Sequence, residues 1–87
     1  MKEESLLTFP CEFPIKVMGR SSETFETEVV EIVRKHAPDL SEGAVTRRGS
    51  GKGNYIAVTV IVTATSKEQL DNIYLELNAH KAVMMTL

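Results

Sequence analysis

Apolar and polar positions along this chain form six successive periodic runs, and their order gives strand, helix, strand, strand, helix, strand. Phe13, Ile15 and Val17 alternate with Lys16 and Met18 and stop at Gly19, which predicts a half-buried strand. Ser21 or Ser22 then offers an N-cap hydroxyl, Glu23 and Glu26 suit a helix N-terminus, and Phe25, Val29, Ile32, Val33 and His36 recur at helical spacing. Ala37-Pro38 ends that helix. A short strand over Ala44 to Arg48 leads into Gly49-Ser50-Gly51-Lys52-Gly53, a run too rich in glycine for a helix or a strand. The longest strand runs from Asn54 to Ala64, with Ile56, Val58, Val60, Val62 and Ala64 on one face. Ser66 and Gln69 have the spacing of a capping box, ahead of the helical stripe Leu70, Ile73, Tyr74 and Leu77. The closing stretch alternates Val83, Met85 and Leu87 against Ala82, Met84 and Thr86, which predicts a last strand. Residues 1–12 keep no period and contain Pro10, so they read as a partly ordered extension to a single domain over residues 13–87.

Two helices with one apolar stripe each must bury those stripes on the same face of the sheet. Right-handed crossovers then make this an α+β, ferredoxin-like βαββαβ domain: a four-stranded antiparallel sheet with two helices on one face. The opposite face stays uncovered. Met18, Tyr55, Thr59, Ile61 and Met84 are its expected interface residues, with Lys16, Ala57, Ala82 and Thr86 beside them, and the set is more apolar than a solvated face usually is.

A chain of 87 residues builds one core. Its net charge of −2 argues against a surface given over entirely to nucleic acid. Cys11 is the single cysteine, which rules out an internal disulfide and a cysteine-based zinc site. Met1 to Glu4 carries charge where a signal peptide turns apolar, and no apolar run approaches the roughly 20 residues of a membrane span. The expectation is a cytoplasmic protein without a membrane partner.

Candidate chemistry is sparse. His36 and His80 stand near the ends of the two helices with no Cys, Asp or His at ligand spacing, so no metal site is expected, and the helix dipole accounts for both. Glu23, Glu26, Glu28 and Glu31 read mostly as a solvated helix face. Around Gly51-Lys52 the phosphate-loop pattern fails: Thr46 stands where its first glycine belongs and Gly53 where its Ser or Thr belongs. What survives there is a basic loop, Arg47, Arg48 and Lys52, able to meet an anion, a nucleic-acid backbone or an acidic partner. Base stacking needs aromatic side chains on the central strands, and only Tyr55 is offered, which ranks nucleic acid below a protein partner. The turn Gly19-Arg20-Ser21-Ser22 is the candidate ligand site, since helix amides, two hydroxyls and a guanidinium could hold a small anion. No nucleophile, base and oxyanion donor converge, so neither an enzyme nor a cofactor is expected.

Phe9-Pro10, Lys16-Val17-Met18-Gly19, His36-Ala37-Pro38, Lys52-Gly53-Asn54-Tyr55 and Val83-Met84-Met85-Thr86-Leu87 resemble, in order and spacing, the YbeD-like family of small bacterial proteins of unknown function. The resemblance covers almost the whole chain. It implies a fold similar to the ACT regulatory domains, which bind amino acids and pair through their sheets, and it places Gly19 where such domains carry a glycine near an effector. Neighbouring genes in that family imply a link to lipoate metabolism. The resulting expectation is a non-catalytic regulatory or binding module that senses a small ligand or contacts a protein, and that forms a homo-oligomer through the open sheet face. The alternative is a nucleic-acid-binding module that uses the basic loop.

Overall fold

Ile56, Val58, Val60, Val62 and Ala64 are all buried, and all lie on one face of β3 (Tyr55–Ala64) in the computed structural model, which describes residues 8–49 and 53–87. β3 is paired along its whole length with β1 (Cys11–Arg20), from Cys11 opposite Ala64 to Arg20 opposite Tyr55. β2 (Val45–Gly49) lies on the free side of β3, and β4 (Val83–Thr86) on the free side of β1. The sheet order is β2-β3-β1-β4, antiparallel throughout. With α1 (Phe25–His36) and α2 (Lys67–Ala79) this is the ferredoxin-like βαββαβ arrangement.

One core joins the helices to the sheet. Ile15 and Val17 of β1 and the buried residues of β3 pack with Phe25, Val29 and Val33 of α1 and Leu70, Ile73 and Leu77 of α2. At roughly 25 cal/mol per Å² of buried apolar surface, these side chains supply the main stabilisation of so short a chain. Pro14 sits inside β1 opposite Ile61, on the stretch that β4 does not reach, where a missing backbone donor costs no ladder bond on that side.

Local chemistry sets the ends of the elements. β1 begins at Cys11, two residues ahead of the expected Phe13, and Phe9 packs against the core. Residues 1–7 of the expected extension, with Leu6 and Leu7, lie outside the described residues. α1 starts later than its serines suggest: its N-cap is Thr24, with no side-chain cap bond, so neither Ser21 nor Ser22 caps it. The Ser21 N–H instead donates to Asn54 O at 3.0 Å, which carries the chain one bond beyond the end of β1. α2 has its cap where the sequence placed it, the Ser66 side chain accepting from Gln69 N–H at 3.0 Å. The return bond goes to the Thr65 N–H at 2.7 Å, while Gln69 Nε2 donates to His36 O at 2.8 Å. A single side chain thus closes the start of α2 and the end of α1. β2 starts one residue later than expected, because Glu42–Ala44 forms a 3-10 turn.

The last strand departs from strict alternation. Val83 lies opposite Gly19 and Met85 opposite Met18, so Met84 is an extra residue in a β-bulge. The face assignment read from the sequence is therefore reversed after Val83. Thr86, expected on the open face, lies opposite buried Val17 and reaches Asn78 of α2 through a 3.3 Å hydroxyl bond. Met85, expected on the helix side, shares the open face with Met18. Leu87 exchanges backbone bonds with Lys16 and lies on that face too.

Candidate functional site

Directly opposite residues of an antiparallel ladder share a face, so the register writes out the uncovered side of the sheet row by row. Across β3 and β1 the rows are Tyr55 with Arg20, Ala57 with Met18, Thr59 with Lys16, Ile61 with Pro14, and Thr63 with Glu12. β2 adds Arg48 beside Ala57 and Thr46 beside Thr59, and β4 adds Met85 beside Met18. Among the described residues no helix covers this side. Tyr55 and Ile61 are each 43% exposed and Met85 is 50% exposed, values far above those of the same strands' helix-facing residues. Met84 is 60% exposed, as the unpaired residue of the bulge.

Charge divides this face by its ends. Arg20 and Arg48 lie toward one end with Lys16 near the middle, and Lys16, Thr46, Arg47, Arg48, Ala57 and Thr59 line a depression of about 260 Å³. At the other end Glu12 and Asp39 line a second depression together with Ile61 and Thr63. Among the described residues none of Glu12, Lys16, Arg20, Asp39 and Arg48 has an ion-pair partner. On the helix side the pattern is the reverse: Lys35 pairs with Glu76, Arg47 with Glu26 at 3.0 Å, and Lys67 with Asp71 at 3.0 Å.

The basic loop is split by the same geometry. Arg47 lies opposite buried Val58 and turns to the helix side to meet Glu26, whereas Arg48 lies opposite Ala57 on the open face. Both belong to β2 rather than to the loop, and Lys52 lies outside the described residues. The Gly19-to-Ser22 turn is also divided. Gly19 is a strand residue, and a Cβ there would stand 2.2 Å from Ala82 O and 2.5 Å from the Phe25 ring. Arg20 and Ser21 instead line an open depression with Asn54 and Tyr55. Ser22 is exposed, three residues before α1 begins.

Both histidines bridge the helices. His36 Nε2 lies 2.6 Å from Glu76 Oε1, and His80 Nε2 lies 2.9 Å from Glu28 Oε1. His80 Nδ1 accepts from the Ala82 N–H at 3.1 Å, which leaves the ring proton on Nε2, facing the carboxylate. The Lys35 ammonium and then the His36 ring hold the Glu76 carboxyl below its ordinary range. Burial raises the Tyr74 phenol, which donates to Leu87 O at 3.1 Å. Glu26 and Glu28 are thus engaged rather than simply solvated. No group of three metal-ligating side chains occurs among the described residues. No helix among them is long and apolar enough to cross a membrane.

An antiparallel βαββαβ sheet with both described helices on one face places the protein among ACT-like ferredoxin folds. The ACT domain of a GTP pyrophosphokinase from Chlorobium tepidum superposes with a TM-score of 0.66 at 10% identity, over 87% of this chain and 84% of that one. A protein from H. pylori superposes with a TM-score of 0.71 at 13% identity, over 93% and 85%. Residues 4–87 match the family described as protein of unknown function DUF493, and the chain belongs to that family. A UPF0250 protein of Chromobacterium violaceum is 51% identical over 99% of this chain and 97% of its own. One from Nitrosomonas europaea is 44% identical over the full length of both. The family description names no activity.

Proposed function

We propose that this protein is a non-catalytic binding module whose working surface is the uncovered face of its sheet. One observation carries the proposal: Met18, Ala57, Ile61 and Met85 lie there among Lys16, Arg20 and Arg48, cations that have no carboxylate partner among the described residues. An apolar surface crossed by unpaired charge is the composition of a docking face, since the apolar groups gain from burial and the charges select the partner. The diversion of Arg47 to Glu26 and the single aromatic side chain on the face favour a protein surface over nucleic acid. The regulatory role and lipoate link implied by the family resemblance add context to this reading.

A photocrosslinking amino acid placed at Thr59, and separately at Glu31 on the outer side of α1, tests the proposal in growing cells. The Thr59 probe is expected to give a discrete protein adduct that survives nuclease, and the Glu31 probe none. Adducts from Glu31 alone, or nucleic acid captured at Thr59, overturn it.

A further inference from the structure

The distribution of charge along the strands identifies the occupant of this face. Lys16 and Thr59 form the middle row, and the rows on either side of it are symmetric in number. Arg20 stands four residues above Lys16 and Glu12 four below, while Tyr55 and Thr63 flank Thr59 in the same way. Arg48 on β2 lies one row above the middle, and Asp39 lies at the opposite end, in the depression beside Ile61. A two-fold axis lying between two such faces and crossing the strands at the middle row would lay each strand over its own copy, running in the opposite direction. Arg20 then faces Glu12 of the second copy, Met18 faces Pro14, Ala57 faces Ile61, and Arg48 faces the depression that Asp39 lines. Every one of these contacts occurs twice, as an isologous interface requires.

We propose, resting on the binding-face reading above, that the partner of the open face is a second copy of this chain, stacked sheet to sheet with its strands reversed. Aligned sheets pack about 10 Å apart, a gap that an arginine and a glutamate together span. A two-fold axis along the strands, between β1 and β3, would instead gather Arg20 and Arg48 of both copies at one end of the interface and Glu12 of both at the other, so charge favours the reversed arrangement. Two ten-residue strands flanked by edge strands of five and four residues offer roughly 450 Å² per copy, which places the pair at the low end of specific interfaces and makes a weak dimer the expectation. Lys16 lies on the axis and meets its own copy. It is the one like-charge contact of the arrangement, and its stem covers apolar surface while the ammonium turns to the rim.

Sedimentation equilibrium of the full chain across the micromolar range tests this. Wild type is expected to reach twice the chain mass and to dissociate as salt is raised. Arg20→Glu and Glu12→Arg should each weaken association by about tenfold or more, because each change creates two like-charge contacts. Mixed together, these two variants should associate again, because both contacts between positions 12 and 20 of the mixed pair are then of opposite sign. Lys16→Met should tighten the dimer, whereas it would weaken the docking of an acidic foreign partner. A monomeric wild type, a mixture that associates no better than its components, or a weaker Lys16→Met dimer overturns the second copy as occupant. The Thr59 adduct separates the two readings. An adduct at twice the chain mass supports the second copy, an adduct to a different protein leaves the binding face standing without it, and no adduct at all removes both.

Discussion

Gly19 sits where two elements leave no room for a side chain. The Ala82 carbonyl and the Phe25 ring both stand closer to its missing Cβ than atoms can approach, and one of the two is backbone, which cannot rotate away. The glycine is therefore explained by close packing between β1, α1 and the turn before β4. Gly19→Ala is expected to cost at least ~2 kcal/mol, an overpacking effect with little relief. That should lower the thermal midpoint by roughly 10 °C in a domain of this size, measured by circular dichroism. Gln69 is the other residue whose weight exceeds its appearance, since its amide serves Thr65 at one end and His36 at the other. A capping box announces itself by spacing, and this one was legible. The bond to His36 was not, because it joins two helix ends that only the fold brings together.

At the scale of elements, α1 and α2 are tied by side chains as well as by packing. Glu76 receives Lys35 and His36 from α1, and Glu28 receives His80 from the end of α2. The Glu76 carboxyl titrates below its ordinary range in the folded protein, so the unfolded chain takes up a proton first as pH falls. The stability this link contributes is complete above the usual glutamate range and fades as pH drops through the folded value. Glu76→Gln should flatten the acid limb of stability against pH, read by urea unfolding at a series of pH values, and leave the neutral shape of the curve unchanged. Strand parity was readable for β1 and β3, where five alternating apolar residues in β3 point to one core. It failed for β4, since a bulge inserts a residue without altering composition and four residues are too few to expose the slip. Arg47 and Arg48 show the same limit. Adjacent in sequence, they read as one cluster, but the pleat sends them to opposite faces.

The whole molecule is built outward from two long strands. β1 and β3 share ten paired positions, and the edge strands have five and four residues, so protection should be graded from the centre. Amide hydrogen exchange is expected to be slowest at Val17, Val58 and Val60 and fastest along β2. Equal protection across all four strands would mean that the edges open only with the core. The fold class was legible from period alone, because a buried face and a free face repeat in every strand. The charge polarity of the free face was not legible, since Glu12, Asp39, Arg20 and Arg48 are scattered through the sequence and only register aligns them. The bulge at Met84 has a consequence for chain length. Val83 and Met85 already hold adjacent positions against β1, so the ladder has no place reserved for the residue between them. A chain one residue shorter at that point could keep every partner it has, Thr86 toward α2 and Met85 outward. Length variation between relatives can therefore gather at the end of this strand without a change of fold, whereas the same loss within β3 would turn half the core toward water.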